Sequence, residues 1–108
     1  MLPKKNRVDT KGVKRVFLAG KFINSPLVSF KYVLENNRLP SRISVVAPKT
    51  VAKRAVDRNS LRRRGYQALK KYLNKFPIGL VGVLVFKKPP GSVSEVEKEI
   101  ENILTKIN

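Results

Sequence analysis

Apolar positions along the chain switch between a helical and a two-residue spacing, and the switches place its elements. Val13, Val16 and Phe17 fall at i, i+3 and i+4 with Gly20 as a stop, which predicts a short amphipathic helix over residues 12–19, capped by Asp9 or Thr10. In residues 27–33, Val28, Phe30 and Tyr32 lie on one side and Ser29 and Lys31 on the other, the period of a half-buried strand. Residues 35–40 read as a turn, and residues 42–47 as a second β-rich run ended by Pro48. Their close succession predicts an antiparallel hairpin. Residues 80–86 are almost wholly apolar, as in a central strand covered on both faces, and Pro89 and Pro90 follow it.

The final segment carries the most regular helical pattern. Val96, Ile100, Ile103, Leu104 and Ile107 make its apolar stripe, with Glu and Lys opposite, and Ser94 and Glu97 have capping-box spacing. Its glutamates gather toward the N-terminal end, where the macrodipole favours them, so this charge run reads as a solvated outer face.

Residues 49–73 are mostly helical by pattern. Leu61, Gly65, Ala68, Leu69 and Tyr72 form one stripe, whereas Ala52, Ala55 and Val56 fall roughly opposite it. The apolar phase therefore breaks near residues 57–59. Either the helix begins there after a structured crossover, or its first turns meet another part of the core. Arg54, Arg58 and Arg62 are spaced i, i+4, i+8 and would project side by side. Tyr32, Tyr66 and Tyr72 fit core filling and base stacking equally.

Charge turns this segment into a functional candidate. The 108 residues hold 24 Lys and Arg against 7 Asp and Glu, a formal charge of +17. Residues 1–91 carry 22 basic and 3 acidic side chains, a net of +19. Six cations lie within residues 53–64 alone, a repulsive arrangement that calls for a polyanionic partner, nucleic acid before membrane. Arginine suits that task because its planar guanidinium grips phosphate oxygens bidentately or stacks on bases.

Other chemistry is narrowed by absence. The sequence contains no His, Cys or Trp, which removes thiol and imidazole catalysis, the usual zinc ligand sets and disulfides. No bilayer-length apolar run is present, and a cytoplasmic setting is expected. With 42% hydrophobic residues, one modest core and a single domain over residues 1–108 are expected, preceded by a basic lead-in at residues 1–8. A protein nuclease without His would need clustered carboxylates to hold metal ions, but Asp9, Glu35 and Asp57 are far apart in sequence.

The run from Lys53 to Arg63, with Arg58-Asn59-x-x-Arg62-Arg63, resembles the arginine-rich signature of the bacterial ribonuclease P protein component. The likeness extends to the opening Leu2-Pro3-Lys4-Lys5-Asn6-Arg7-Val8, the first helix, the strand and Lys-bearing crossover before the signature, and the late strand ending Lys87-Lys88-Pro89. It implies a single-domain α+β sandwich of order α-β-β-β-α-β-α, with a central four-stranded sheet and a left-handed βαβ crossover. It also implies a chain that assists a catalytic RNA in removing the 5′ leader of precursor tRNA, with Mg²⁺ held through the RNA and no catalytic residue in the protein.

Carried over by position, Arg58, Asn59, Arg62 and Arg63 are expected to bind RNA, joined by Lys49, Lys53 and Arg54 of the same basic segment, and Val13, Phe17, Ser29 and Lys31 to line a leader cleft. Lys4, Lys5, Arg7 and Arg64 are assigned as phosphate contacts. Ser60 and Tyr66 stand where the family commonly has arginine, and Val13 where it commonly has an aromatic. Expected partners are ribonuclease P RNA and the precursor tRNA leader, without membrane or obligatory protein partner. The alternative reading is a small basic ribosomal protein bound to structured ribosomal RNA.

Overall fold

The computed structural model describes residues 10–35 and 38–107. Helix α1 (Thr10–Ala19) leads into strands β1 (Lys21–Asn24), β2 (Val28–Leu34) and β3 (Arg42–Val46). Helix α2 (Ala55–Tyr72) ends in a 3₁₀ turn, and strand β4 (Leu80–Phe86) and helix α3 (Val93–Lys106) complete the order α-β-β-β-α-β-α. The basic lead-in, with Lys4, Lys5, Arg7 and Asp9, lies outside the described residues.

The sheet order is β1-β2-β4-β3. β1 and β2 pair antiparallel, β4 pairs antiparallel with β2, and β3 runs parallel to β4. The expected hairpin between residues 27–33 and 42–47 is therefore not formed. Strand β4, buried at every residue except the half-buried Val85, has no polar side to give to solvent, so it inserts between the two runs. Parallel strands need a crossover, and α2 supplies it.

Strand alternation divides the interior into two layers. Val28, Phe30 and Tyr32 of β2, Ile43 and Val45 of β3, and Leu80, Leu84 and Phe86 of β4 meet the apolar stripes of α2 and α3. The opposite face joins Val81 and Val83 to Val16 of α1, with Val13, Val33, Val46 and Val85 at its margin. Gly82 belongs to β4's core side because a Cβ there would lie 2.5 Å from the Phe30 ring. Gly65 does the same service for α2, where a Cβ would meet Val45 at 2.8 Å, so the helix sits close on β3.

The phase break resolves into the first of its two alternatives. Residues 47–54 form the crossover, tightened by Val51 and Ala52 N–H groups donating to the Pro48 carbonyl at 3.0 and 3.2 Å, and α2 starts only at Ala55. Val51 and Ala52 pack on the core from that crossover rather than from a helical turn. At α3, the cap is Ser92 and not Ser94. Its hydroxyl accepts from Glu95 N–H while the Glu95 carboxylate accepts from Gly91 N–H at 2.6 Å, two residues earlier than the spacing expected from Ser94 and Glu97.

The three tyrosines are core residues with polar tips. Tyr32 stacks on Phe30 with ring centroids 5.6 Å apart, and Tyr66 accepts a hydrogen bond from Val45 N–H at 3.2 Å, closing an edge position of β3. Tyr72 donates to the Glu101 carboxylate at 2.5 Å, tying α2 to α3. That bond, with burial second, pushes the Tyr72 phenol up to about 12. Since the unfolded phenol titrates near 10, the folded form holds its proton longer, and stability falls as pH climbs from about 10 toward about 12. Chemical denaturation across that alkaline range should show a shallower loss for Tyr72→Phe than for the parent protein; parallel profiles would remove Tyr72 from the account.

Candidate nucleic-acid interface

Two surfaces carry the expected site residues, and the sheet lies between them. The first is the crossover with the outward side of α2. Arg54 occupies the cap position and holds Asp57 through two hydrogen bonds at 2.9 and 3.2 Å. The Arg54 guanidinium keeps the Asp57 carboxyl below the usual carboxylate range. Arg58 turns back on the crossover and donates to the carbonyls of Ala52 and Lys53 at 3.1 and 2.6 Å. Arg62 donates to the Asn59 side-chain oxygen.

The three arginines of the ladder are thus distributed rather than equivalent. Arg54 is a cap-position ion pair, Arg58 a staple for the incoming loop, and Arg62 a guanidinium oriented by a neighbouring amide. The side chains of Lys49, Lys53 and Arg63 are exposed and make no hydrogen bond or ion pair among the described residues. Arg64 lies on the other flank of α2, where it donates to the Pro90 carbonyl at 3.3 Å. Asn59, Arg62, Arg63 and Tyr66 border one concavity of about 350 Å³ beside the helix.

The second surface is the sheet face partly covered by α1. Phe17 is 44% exposed, which decides between core packing and presentation in favour of presentation. The Lys31 ammonium stands 4.6 Å from the Phe17 ring centre and 5.7 Å from that of Phe22, so the cation is flanked by two aromatic faces. Ser29 is buried and pairs with Asn24 and Val85, forming floor rather than rim. Val13 is half-buried against the Val16, Val81 and Val83 cluster.

Phe22 was not among the residues expected from sequence. Its strand has four residues with a single buried one, Ile23, too little alternation to register as a strand. The pairing of Phe22 with Lys31 across β1 and β2 brings it to the site, and only the register reveals it.

The acids have a different use. Every described carboxylate is engaged within the fold: Glu35 accepts from Arg15 and Arg42 at 2.6 and 3.0 Å, and Asp57 from Arg54. Glu97 pairs with Lys71, Glu101 accepts from Tyr72, and Glu95 caps α3. Glu99, 8% exposed, accepts from the Ser25 hydroxyl at 2.7 Å and Leu27 N–H at 2.5 Å. Among the described residues, no group of three or more acids could hold a metal ion, and no helix is long and apolar enough to cross a membrane. The arrangement offers cations, aromatic faces and one amide: chemistry for gripping phosphates and stacking on bases.

Comparison with known proteins gives concordant matches. A family model described as Ribonuclease P matches residues 2–108. The ribonuclease P protein component of Pseudanabaena sp. (strain PCC 6903) is 30% identical over 111 residues, covering 98% of this chain and 94% of the relative. Among solved structures, the RNase P protein of Thermotoga maritima superposes with a TM-score of 0.81 at 18% identity, over 94% of this chain and 97% of that one. The RNase P protein of Staphylococcus aureus superposes with a TM-score of 0.77 at 13% identity, over 94% of both chains.

Proposed function

Because this chain belongs to the ribonuclease P protein component family, we propose that it binds the catalytic RNA of ribonuclease P through the crossover and α2, and the 5′ leader of precursor tRNA through the α1 cleft. It assists endonucleolytic removal of the leader, with the reacting groups and the Mg²⁺ supplied by the RNA. The observation that carries this reading is the division of charge: the described acids are consumed by contacts within the fold, while the side chains of Lys49, Lys53 and Arg63 stay unpaired among the described residues, beside the oriented Arg62. An uncompensated cationic surface of this kind attracts a polyanion and gains from counterion release when it binds.

Two such surfaces on opposite sides of one sheet suit two RNA segments. The α2 side offers several guanidinium and ammonium groups on a rigid helix and a stapled loop, which fits a structured RNA of fixed shape. The cleft side offers Phe17, Phe22 and Lys31, which fits unpaired nucleotides that stack and present one phosphate.

RNA recovered with the protein from bacterial cells tests the reading. A single RNA species of a few hundred nucleotides, cleaving precursor tRNA, is expected; recovery of ribosomal RNA instead would assign the protein to a ribosomal role. Within the holoenzyme, Phe17→Ala and Phe22→Ala should each weaken binding of leader-bearing precursor tRNA by about 5- to 100-fold, the value of one stacked base. Binding of leaderless tRNA should be unchanged. An equal loss for both substrates would take the cleft out of leader recognition.

A further inference from the structure

On the flank of α2 that faces the segment after β4 lies a hollow of about 390 Å³. Three separate parts of the chain build it: Lys53 with Val51 and Ala52 from the crossover, Ser60 and Arg64 from α2, and Pro89 from beyond β4. The Lys53 ammonium and the Ser60 hydroxyl make no hydrogen bond or ion pair among the described residues, and Arg64 spends one N–H on the Pro90 carbonyl at 3.3 Å. Asp57, the single acid in the lining, is occupied by the two hydrogen bonds from Arg54 and does not oppose an incoming anion as a free carboxylate would.

The hollow is also built in advance. Arg58 holds the Lys53 carbonyl at 2.6 Å, so the backbone that carries the Lys53 ammonium is fixed before any ligand arrives. The small Ser60 side chain keeps the hollow open, where a long one would occupy it. An ammonium, a guanidinium and a hydroxyl match a phosphate. Val51, Ala52, Leu61 and Pro89 give apolar wall that inorganic phosphate would not use.

We propose that this hollow is a nucleotide subsite. It takes one nucleotide of the bound RNA strand, the phosphate on Lys53, Ser60 and Arg64 and the ribose and base against the aliphatic wall. The proposal rests on the RNA-binding reading above and extends it from a charged surface to a shaped site.

Adenosine 5′-monophosphate and inorganic phosphate, titrated separately into the full chain and followed by backbone amide shifts, test it. The nucleotide is expected to move Lys53, Ser60 and Leu61 saturably and to bind at least about tenfold more tightly than phosphate, about 1.4 kcal/mol. Ser60→Leu fills the hollow without removing a cation and should abolish the nucleotide response, and Lys53→Ala, an exposed change that the fold tolerates, should weaken both probes. Equal affinity for the two probes, shifts confined to Phe17 and Phe22, or a wild-type response from a folded Ser60→Leu protein would each overturn it. A nucleotide response here without any ribozyme recovered from cells would sink the RNA reading and leave the subsite. Full ribozyme binding with no preference for the nucleotide would sink the subsite alone.

Discussion

Arg58→Ala is expected to weaken binding to ribonuclease P RNA by about 10- to 100-fold, more than Arg63→Ala at about 3- to 10-fold. The Arg63 side chain has no partner among the described residues, so its removal deletes one cationic contact and lowers the salt slope by nearly one unit. Arg58 is bound to the Ala52 and Lys53 carbonyls, so its removal releases the crossover and disorders Lys53, and with it the approach to Lys49. The ordering cost of several residues then falls on the binding step. Arg58→Lys separates the two explanations, because it keeps the charge but replaces the Nη1 group that reaches both carbonyls by an ammonium on a shorter stem. Little recovery of affinity is expected; near-complete recovery would make Arg58 a plain phosphate contact. Affinities measured at several salt concentrations decide the matter.

Glu99→Ala should lower unfolding free energy by about 3 kcal/mol, a large fraction of the stability of a domain of this size. The Glu99 carboxylate reaches from α3 to the β1–β2 connection, where the Ser25 hydroxyl and Leu27 N–H donate to it and the Ser25 N–H closes the turn on the Val28 carbonyl at 3.0 Å. Truncation leaves both donors without their acceptor, the Ser25 hydroxyl in a buried site and the Leu27 N–H in a half-buried one. Glu99→Gln keeps the shape but turns one donor toward a donor, so a smaller loss is expected. Glu97→Ala is the control, since its pair with the exposed Lys71 is worth no more than about 1 kcal/mol. Urea denaturation of the three variants gives the comparison, and a loss at Glu99→Ala no greater than at Glu97→Ala would contradict the role assigned to the buried carboxylate.

Glu99 also marks where sequence reading stops. By spacing it sits at the border of the apolar stripe of α3 and reads as one of the solvated glutamates, yet its partners are more than 70 residues away in the chain. Long-range polar pairing leaves no periodic trace. The same holds for Phe22, whose role depends on cross-strand register, and for Arg58, whose partners are carbonyls that carry no sequence signal. The failed hairpin has a related cause: nearness in sequence favoured pairing residues 27–33 with 42–47, but the apolar demand of β4 for two covered faces outweighed it.

What local periodicity governs was legible. The bounds of β4, the stripe of α2 through Leu61, Gly65, Ala68, Leu69 and Tyr72, and the break of phase before Asn59 all appear in the structure. Tyr66 joins that stripe because its phenol finds a backbone partner at the β3 edge, which lets a polar tip be buried. The charge asymmetry was legible too, since composition alone separates the cationic body from the acidic last helix.

Under the proposed function, this protein steadies a catalytic RNA and its substrate and performs no cleavage itself. Reconstitution tests it most directly: purified protein, bacterial ribonuclease P RNA and precursor tRNA, combined and singly, at low Mg²⁺. Intact precursor is expected with protein alone, slow processing with RNA alone, and rapid release of the 5′ leader when the two are combined. Leader removal by the protein without RNA, or no gain when the protein joins the RNA, would contradict it.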